Sequence, residues 1–403
     1  MAKKNFKKNA KTAGKPSICY VNPPILLKRP IADIITRLAN DDYKTSLLIP
    51  KKLFKGVDAS LHHSKLPENV KVYTYSIINP PLSSEQPIPV TPMFLVNVIK
   101  AMKRNDIIHM WVPYYLTSLK IIWIKKVFFP EKKLILTMDT VPGYSFSMGK
   151  FWDNMLRIYN KIFGRLLFGT PDRVTLYGKS LVPYALKAGI AEKKIRVIST
   201  GVKLKGRNLK ERQKSRLEIE KEIGIKPSTK IVLFIGLLVP RKGITKIIKM
   251  ADKLRKEDIV FVLAGDGPKR KEYEELTEEM DLSDKVKFLG WRADTPRLYQ
   301  ASDILVLPAE GEGLPGVVME AMSYGVPCVA SNIPCIPDLT ENGKSGYLCD
   351  KDNAEEFAAR IKQLLKNKDA LENMSRESLK KIKAFEWDKV INKYKNMYDE
   401  ILN

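Results

Sequence analysis

The sequence is poor in cysteine and histidine, and these shortages exclude several kinds of site. Its 403 residues include 4 cysteines and 3 histidines. The cysteines have no C-x-x-C spacing, so they predict neither a zinc site nor a disulfide framework. We therefore expect a protein of a reducing compartment, the cytoplasm, without a bound metal or cofactor. The four cysteines are Cys19, Cys328, Cys335 and Cys349.

Long apolar segments are absent too. No uninterrupted apolar run reaches about 18 residues, which argues against a transmembrane helix. The basic start of the chain lacks the apolar core of a signal peptide. Residues 1–16 carry six lysines and no acid, a composition that predicts a flexible basic tail. Any membrane association is therefore expected to be peripheral, on the cytoplasmic face.

Acidic residues are scarce in the first half of the chain only. The net charge is +25, and residues 1–200 hold 33 basic residues against 12 acidic ones, whereas residues 201–403 hold 37 against 33. Such a field favours an anionic membrane surface, a phosphorylated lipid or nucleic acid as partner. A lysine-rich solvated surface without a partner is the alternative. Because no nucleic-acid recognition motif is present, we expect no nucleic acid partner.

The length and the apolar pattern predict two α/β domains. A chain of this size is long for one core. Short apolar strands alternate with helical stretches in both halves, which is typical of parallel sheets with helices on both faces. We predict one domain over 17–205, a second over 206–384 that opens at the strand Lys230–Gly236, and a terminal amphipathic helix over 385–403.

Two stretches of the first half mix aromatic, aliphatic and basic residues. They run from Trp111 to Phe129 and from Phe146 to Phe168. A basic amphipathic helix with aromatic anchors suits a membrane interface. The alternative is a pair of helices that cover the core of the first domain. The charge asymmetry favours membrane contact.

The most informative motif pairs two glutamates around a Gly/Pro turn. Glu312-Gly313-Leu314-Pro315-Gly316 follows the apolar strand 304–307, and Glu320 lies eight positions after Glu312 in a helix-forming segment. A turn of this kind presents backbone N–H groups beside a helix start, where phosphate binds. The carboxylates repel phosphate, and they suit sugar hydroxyls better. The motif therefore predicts a nucleotide-sugar site.

This motif resembles the paired-glutamate motif of retaining glycosyltransferases, especially glycosyltransferase family 4. The resemblance continues through 325–331 and 341–348, and it covers about the last 170 residues well. It implies two Rossmann-like domains of the GT-B type that face a central cleft. It also implies a terminal helix that crosses back to the first domain.

The resemblance also implies roles for single residues. Glu312, Lys242 and Asp139 are the expected catalytic residues, and Glu320 would accept hydrogen bonds from the ribose. The expected donor-binding set adds Gly236, Arg241, Gly265, Gly313, Leu314, Pro315 and Arg292. The candidates for contact with the acceptor or its phosphate are Lys28, Arg29 and His109, although a histidine on an apolar strand is more often a core residue.

Three departures from the family pattern are visible. Leu237 stands where relatives carry an arginine, so Arg241 is the candidate for the missing charge. Asp139 stands near the position of a common histidine, where an Asx turn is the alternative to a role in catalysis. The first turn contains Pro23 and Pro24 in place of glycines, and prolines have no N–H to offer an anion.

We therefore expect a metal-independent transferase that moves a sugar from a UDP- or GDP-sugar to a membrane-associated glycan or lipid-linked acceptor. Its partners would be the nucleotide-sugar donor, that acceptor and an anionic membrane surface. The alternatives are a transferase with a soluble acceptor and a non-catalytic protein that binds glycans or nucleic acid.

Overall fold

The computed structural model describes residues 15–24, 27–50, 66–78, 88–89, 92–147 and 149–403. Of the predicted basic tail, only residues 15 and 16 lie within these ranges.

Seven strands of the first half form one sheet, in the order β3-β2-β1-β6-β7-β8-β9, and β4 pairs with β5 in a short antiparallel ribbon. Neighbours from β3 to β7 run parallel, as in the pairing of Ile18 with Ile107. The strands are β1 Ser17–Val21, β2 Lys44–Pro50, β3 Lys71–Tyr75, β4 Ile77–Ile78, β5 Ile88–Pro89, β6 Ile107–Trp111, β7 Lys133–Met138, β8 Arg173–Leu176 and β9 Ile195–Val197.

The second half contributes a six-stranded parallel sheet with the order β12-β11-β10-β13-β14-β15. Its central strands are buried on both faces, which explains their continuous apolar sequence. The strands are β10 Lys230–Ile235, β11 Ile259–Ala264, β12 Val286–Gly290, β13 Ile304–Leu307, β14 Cys328–Ser331 and β15 Gly346–Cys349.

Helices connect these strands. They are α1 Arg29–Asn40, α2 Met93–Arg104, α3 Leu116–Phe128, α4 Lys150–Leu167, α5 Val182–Lys187, α6 Leu209–Ile223, α7 Ile244–Lys253, α8 Arg270–Glu279, α9 Thr295–Ala301, α10 Gly316–Ser323, α11 Ile336–Leu339, α12 Ala354–Lys366, α13 Lys368–Ile382 and α14 Trp387–Leu402. The parallel α/β architecture with two sheets confirms the predicted fold class.

Local sequence signals set the helix ends. At the start of α6, the Asn208 side chain accepts hydrogen bonds from the backbone N–H groups of Lys210 and Glu211, which satisfies donors that have no partner inside the helix. Gly224 ends α6 with φ of +68°, a conformation that glycine adopts without steric cost. The helix lies in a charged stretch near the start of the predicted second domain.

The described residues form two compact units. One comprises the described part of Met1–Met138 with Phe163–Thr175 and Lys393–Asn403, and the other comprises Asp139–Ile162 and Leu176–Asn392. Within the first unit, the hydroxyl groups of Tyr398 on α14 and Tyr20 on β1 are 2.8 Å apart. The domain boundaries at 205/206 and 384/385 and the central cleft stay predictions.

Two general features bear on function. Among the described helices, none combines the length and the apolar character needed to cross a membrane. All four cysteines are buried and free, and within the described ranges no group of three or more potential metal ligands is found.

Candidate active site

The loop between β13 and α10 holds the paired glutamates at the carboxyl end of a buried strand. All four residues of β13 are buried. The chain then passes through a Gly/Pro segment, and Pro315 directly precedes the first helical residue, Gly316. Glu312 therefore lies in the loop and Glu320 in the second turn of α10. Ligands bind at such strand ends in open α/β sheets.

Lys242 and Glu312 form an ion pair at this loop. The distance from Lys242 Nζ to Glu312 Oε1 is 2.5 Å, and the two side chains are 12% and 10% exposed. Arg241 Nη1 lies 3.9 Å from the same oxygen. An unpaired charge in a nearly buried position is strongly unfavourable, so the loss of either partner would destabilise this loop. The structure thus brings three predicted residues together.

The turn after β10 delivers Lys242 to this position. Pro240–Lys242 form a single 3-10 turn, and Gly243 follows with φ of +74°. A Cβ atom on Gly243 would lie 2.2 Å from the carbonyl oxygen of Pro308. Only glycine therefore lets the two loops approach closely enough for the ion pair.

Glu320 has a different environment from Glu312. Its Oε2 accepts a hydrogen bond of 3.0 Å from the hydroxyl of Tyr299 on α9, and the ring of Tyr299 stacks on Tyr324. Burial, and secondarily the charge of Glu320, raise the pKa of the Tyr324 hydroxyl. Glu320 is thus an oriented acceptor with a neutral donor beside it, which suits hydrogen bonds from ligand hydroxyls.

A small cavity of about 260 Å³ opens at the ends of β10, β11 and β12. Gly236, Gly265 and Arg292 line it, as the sequence predicted for the donor site, together with Leu237 and Trp291. A Cβ atom on Gly265 would lie 1.8 Å from the carbonyl oxygen of Gly236. The absence of a side chain at Gly265 therefore permits this close approach of the two backbones.

Arg292 is engaged by carboxylates. Its guanidinium donates hydrogen bonds to Asp294 at 2.7 Å and to Glu222 on α6. The Asp294 contact, followed by Glu222, raises the pKa of Arg292, while Arg292 lowers the pKa of Asp294 to about 2. Arg292 thus lines the cavity with a guanidinium whose charge is already compensated.

Asp139 directly follows β7 and lies next to the loop between β13 and α10, which we call the donor loop. A Cβ atom built on Gly313 would lie 3.1 Å from the Asp139 Cβ and 3.3 Å from its carbonyl oxygen. Next to Gly313, Leu314 is buried, and it fixes the loop through packing. The structure therefore brings Asp139, Gly313, Leu314 and Pro315 into one region with Glu312.

The acceptor candidates belong to the other compact unit. Lys28 precedes α1 and Arg29 begins it, with Arg29 Nε 3.7 Å from Asp33. His109 is fully buried, and its ring nitrogens lie 2.8 Å from the Tyr398 hydroxyl and 2.7 Å from the Thr137 hydroxyl. Burial lowers the pKa of His109 to about 3. A ligand could reach His109 only if the side chains packed around it moved apart. Its burial agrees with the alternative prediction that His109 is a core residue.

Sequence reasoning missed Tyr299 and the partners of Arg292. Tyr299 precedes Glu320 by 21 residues and lies on a different helix, so no spacing within one element links them. Glu222 meets Arg292 from α6, 70 positions earlier in the chain. A long-range contact of this kind leaves no periodic signal in a single sequence.

The comparisons with known proteins agree with this geometry. Residues 215–381 match the family model of "Glycosyl transferases group 1". The two-sheet α/β fold is thus of the GT-B type, and residues 215–381 are similar to a glycosyl transferases group 1 domain. Membership of glycosyltransferase family 4 in particular stays a prediction.

Curated relatives share this region. The chain is 30% identical over 187 residues to N-acetyl-alpha-D-glucosaminyl L-malate synthase of Bacillus anthracis, covering 46% of this chain and 49% of that protein. It is 32% identical over 191 residues to UDP-Gal:alpha-D-GlcNAc-diphosphoundecaprenol alpha-1,3-galactosyltransferase of Escherichia coli, with the same coverage of 46% and 49%. The chain spans about half the length of these relatives.

A solved structure shares the fold along nearly the whole chain. HepE of Anabaena, in complex with UDP and glucose, superposes with a TM-score of 0.74 at 17% identity, covering 96% of this chain and 100% of that one. At this identity the similarity concerns the fold.

Proposed function

We propose that this protein transfers a sugar from a nucleoside-diphosphate sugar, with retention at the anomeric carbon, to a membrane-associated glycan or lipid-linked acceptor. The observation that carries the proposal is the placement of Lys242 and Glu312 on two adjoining loops of one sheet edge, with Glu320 in the helix that follows the second loop. The domain match and the UDP complex of a neighbour in fold support the nucleotide-sugar donor.

Each part of the donor has a matching group. The 260 Å³ cavity beside Trp291 takes the nucleobase, and Glu320 accepts hydrogen bonds from the ribose hydroxyls. Lys242 and Arg241 face the diphosphate, where their charge stabilises the negative charge that develops as the leaving group departs. Arg241 then replaces the cation that Leu237 does not supply.

The reaction takes place on one face of the sugar. The departing diphosphate accepts the proton of the acceptor hydroxyl, while Glu312 and the backbone from Gly313 to Gly316 hold the sugar. Asp139, next to Gly313, orients the acceptor hydroxyl. Because lysine and backbone dipoles provide the positive field, we propose that no metal is needed; an unchanged rate in EDTA is the expected result.

The membrane-borne acceptor is supported by exposed apolar side chains. On α4, Phe151, Met155, Ile158 and Ile162 are all exposed. Their spacing of four, three and four residues places them in one stripe along the helix. On α3, Trp123 and Phe128 are exposed and meet edge to face at 5.7 Å. Together with the basic first half, these helices suit the cytoplasmic surface of an anionic bilayer.

The Escherichia coli relative is named for a diphosphoundecaprenol-linked substrate, which also favours a lipid-linked acceptor. The name of the Bacillus anthracis relative contains L-malate instead, and this favours the alternative of a soluble acceptor. Turnover on a soluble acceptor in the absence of lipid would support that alternative.

A thermal-shift screen of UDP-, GDP- and ADP-sugars tests the donor. A ligand that binds the folded state raises the melting temperature once its concentration exceeds its Kd. We expect one nucleotide to give a clear rise that Glu320→Ala removes. A screen in which no nucleotide shifts the wild type would contradict the proposal.

A further inference from the structure

A second and larger cavity, of about 1140 Å³, lies beside the donor loop in the same compact unit. Its walls come from the segment after β7 (Tyr144 to Ser147 and Gly149), from Arg241 and Glu310, and from the segments that follow β14 and β15. The residues proposed to hold the nucleotide are not among them, Arg241 excepted. Its volume exceeds the ~300–1,000 Å³ of a typical small-ligand pocket.

The aromatic wall of this cavity is firmly held. A Cβ atom on Gly311 would lie 2.0 Å from the ring of Phe146, so the ring packs directly on the donor loop. The carbonyl oxygen of Phe146 accepts a hydrogen bond of 3.0 Å from the N–H of Gly143. The guanidinium of Arg157 lies over the ring of Tyr144, 5.8 Å from the ring centre. Both rings are therefore fixed at the edge of the cavity.

The charges of the cavity disfavour a phosphorylated occupant. Three carboxylates line it (Glu310, Asp350 and Glu356) against two cations, Arg241 and Lys351. Lys351 is itself paired with Asp352 at 2.6 Å, and Glu310 is paired with Lys246 at 3.4 Å, so these two partners offset each other and the wall stays net acidic. An anionic ligand would meet a net acidic wall and be repelled. Hydroxyl groups, in contrast, donate to carboxylates and exchange hydrogen bonds with the side chain of Asn332.

Aromatic rings next to carboxylates and an amide are the groups that a sugar requires. The apolar C–H face of a pyranose packs on a ring, and its hydroxyls bond the polar groups around it. The cavity also adjoins the proposed reaction centre, because Arg241 lines it and has Nη1 3.9 Å from Glu312 Oε1. A sugar bound here would lie one side chain away from Glu312.

We propose that this cavity binds neutral sugar units of the acceptor, so that the acceptor is an oligosaccharide chain and not a single small alcohol. This proposal rests on the proposed function. It adds a specificity: the glycan beyond the reacting hydroxyl is recognised through Tyr144, Phe146 and Asn332 and carries no charge at these units.

A glycan array tests the proposal with short neutral oligosaccharides of glucose, galactose, mannose and N-acetylglucosamine, followed by titration calorimetry of each hit. We expect the wild type to bind at least one of them. Tyr144→Ala and Asn332→Ala should each weaken this binding by about tenfold or more. Asn332 is exposed, so its variant keeps the test valid even if Tyr144→Ala does not fold.

The matched control is Tyr347→Ala. Tyr347 is a half-buried tyrosine of the same unit, lies beneath the guanidinium of Arg360 and is outside the cavity lining; its variant should bind the oligosaccharide like the wild type. Equal binding by all variants would overturn the proposal, and so would binding of sulfated or phosphorylated glycans only.

Parallel titration with UDP separates the two proposals. A wild type that binds UDP but none of the neutral oligosaccharides overturns the acceptor cavity and leaves the donor site standing. A wild type that binds neither the neutral oligosaccharides nor any of UDP, GDP and ADP overturns the proposed function, and the cavity proposal fails with it.

Discussion

The Nζ atom of Lys242 lies 2.5 Å from Oε1 of Glu312, and both side chains are nearly buried. The pair joins the turn after β10 to the loop after β13, the two segments that the donor diphosphate and its sugar would touch. A lysine held beside this carboxylate is already in place to meet a phosphate. We therefore propose that the pair both links the two segments and takes part in catalysis.

Replacing Lys242 tests its proposed role in catalysis. We expect Lys242→Ala to lower the rate of donor turnover by about 10²–10³-fold, the usual effect of removing one preorganised electrostatic group. Lys242→Arg should recover part of it. The measurement is the rate of nucleoside-diphosphate release from the donor identified by thermal shift.

Lys246→Ala is the control for that variant. Lys246 lies four residues further on, is similarly buried and pairs with Glu310 at 3.4 Å. If Lys242→Ala and Lys246→Ala had the same modest effect, Lys242 would be a structural residue only.

Glu320→Gln tests ribose recognition. The substitution keeps the size and one oxygen for Tyr299 but removes the charge. Since a hydrogen bond to a charged group contributes about 1.5–3 kcal/mol, we expect UDP to bind roughly 10- to 100-fold more weakly. Calorimetric titration with UDP measures the change. Glu275→Gln, on the exposed face of α8, should bind UDP like the wild type.

Gly265→Ala tests the backbone approach in the nucleobase cavity. The new Cβ would meet the Gly236 carbonyl at 1.8 Å, so the ends of β10 and β11 must separate. We expect a lower melting temperature and loss of UDP binding. Gly164→Ala is the control: its Cβ meets nothing closer than 3.9 Å inside α4, and it should stabilise the helix by up to about 1 kcal/mol.

His109 gives the fold a dependence on pH. Its pKa falls from 6.5 to about 3 because it is buried, so the unfolded chain takes up a proton first as the pH is lowered. Stability is therefore fully present above pH 6.5 and is lost progressively between pH 6.5 and about 3. By about pH 4.5 the loss should reach roughly 2–3 kcal/mol.

Urea unfolding followed by tryptophan fluorescence checks this, because Trp111 stacks on His109 at 4.3 Å. Both the wild type and His109→Gln lose stability from titrating carboxylates, but only the wild type carries the histidine contribution. The wild type should therefore lose roughly 2–3 kcal/mol more than the variant between about pH 7 and pH 4.5. Equal losses would mean that His109 is protonated in the folded state.

Flotation with anionic liposomes tests the membrane surface. Ile158→Glu and Phe128→Glu each place a charge on an exposed apolar position of α4 or α3. We expect the wild type to float at low salt and each variant to float much less. Leu217→Glu, at an equally exposed position of α6, should float like the wild type. A wild type that stays at the bottom of the gradient would remove the membrane part of the proposed function.

Much of the fold could be predicted because the signals are local. The strands of the second sheet are continuous apolar runs. The Gly/Pro turns after them mark one edge of the sheet, where Gly236, Gly265 and Glu312 lie, and Glu320 lies in the helix that follows. The match of Lys242 to its motif pointed to the same edge. These positions depend on one element each and on the rule that parallel strands end together.

What could not be predicted depends on contacts between distant elements. The ion pair of Lys242 with Glu312 joins residues 70 positions apart, and the sequence gives their types but not their distance. Arg292 was expected to contact a ligand, whereas its guanidinium donates hydrogen bonds to Glu222 and Asp294. His109 looked like a candidate for the acceptor until Tyr398, 289 residues away, proved to be its partner.

The most direct test is the rate of UDP release from a UDP-sugar by the wild type and by Glu312→Gln. Glu341→Gln, on a loop away from the site and paired with Lys344 and Lys381, is the control. If an acidic residue beside Lys242 holds the sugar, Glu312→Gln should reduce the rate by about 100-fold or more at a temperature where the variant is still folded, and Glu341→Gln should not. Equal rates for all three proteins, or a wild type that turns over none of the UDP-, GDP- and ADP-sugars, would contradict the account.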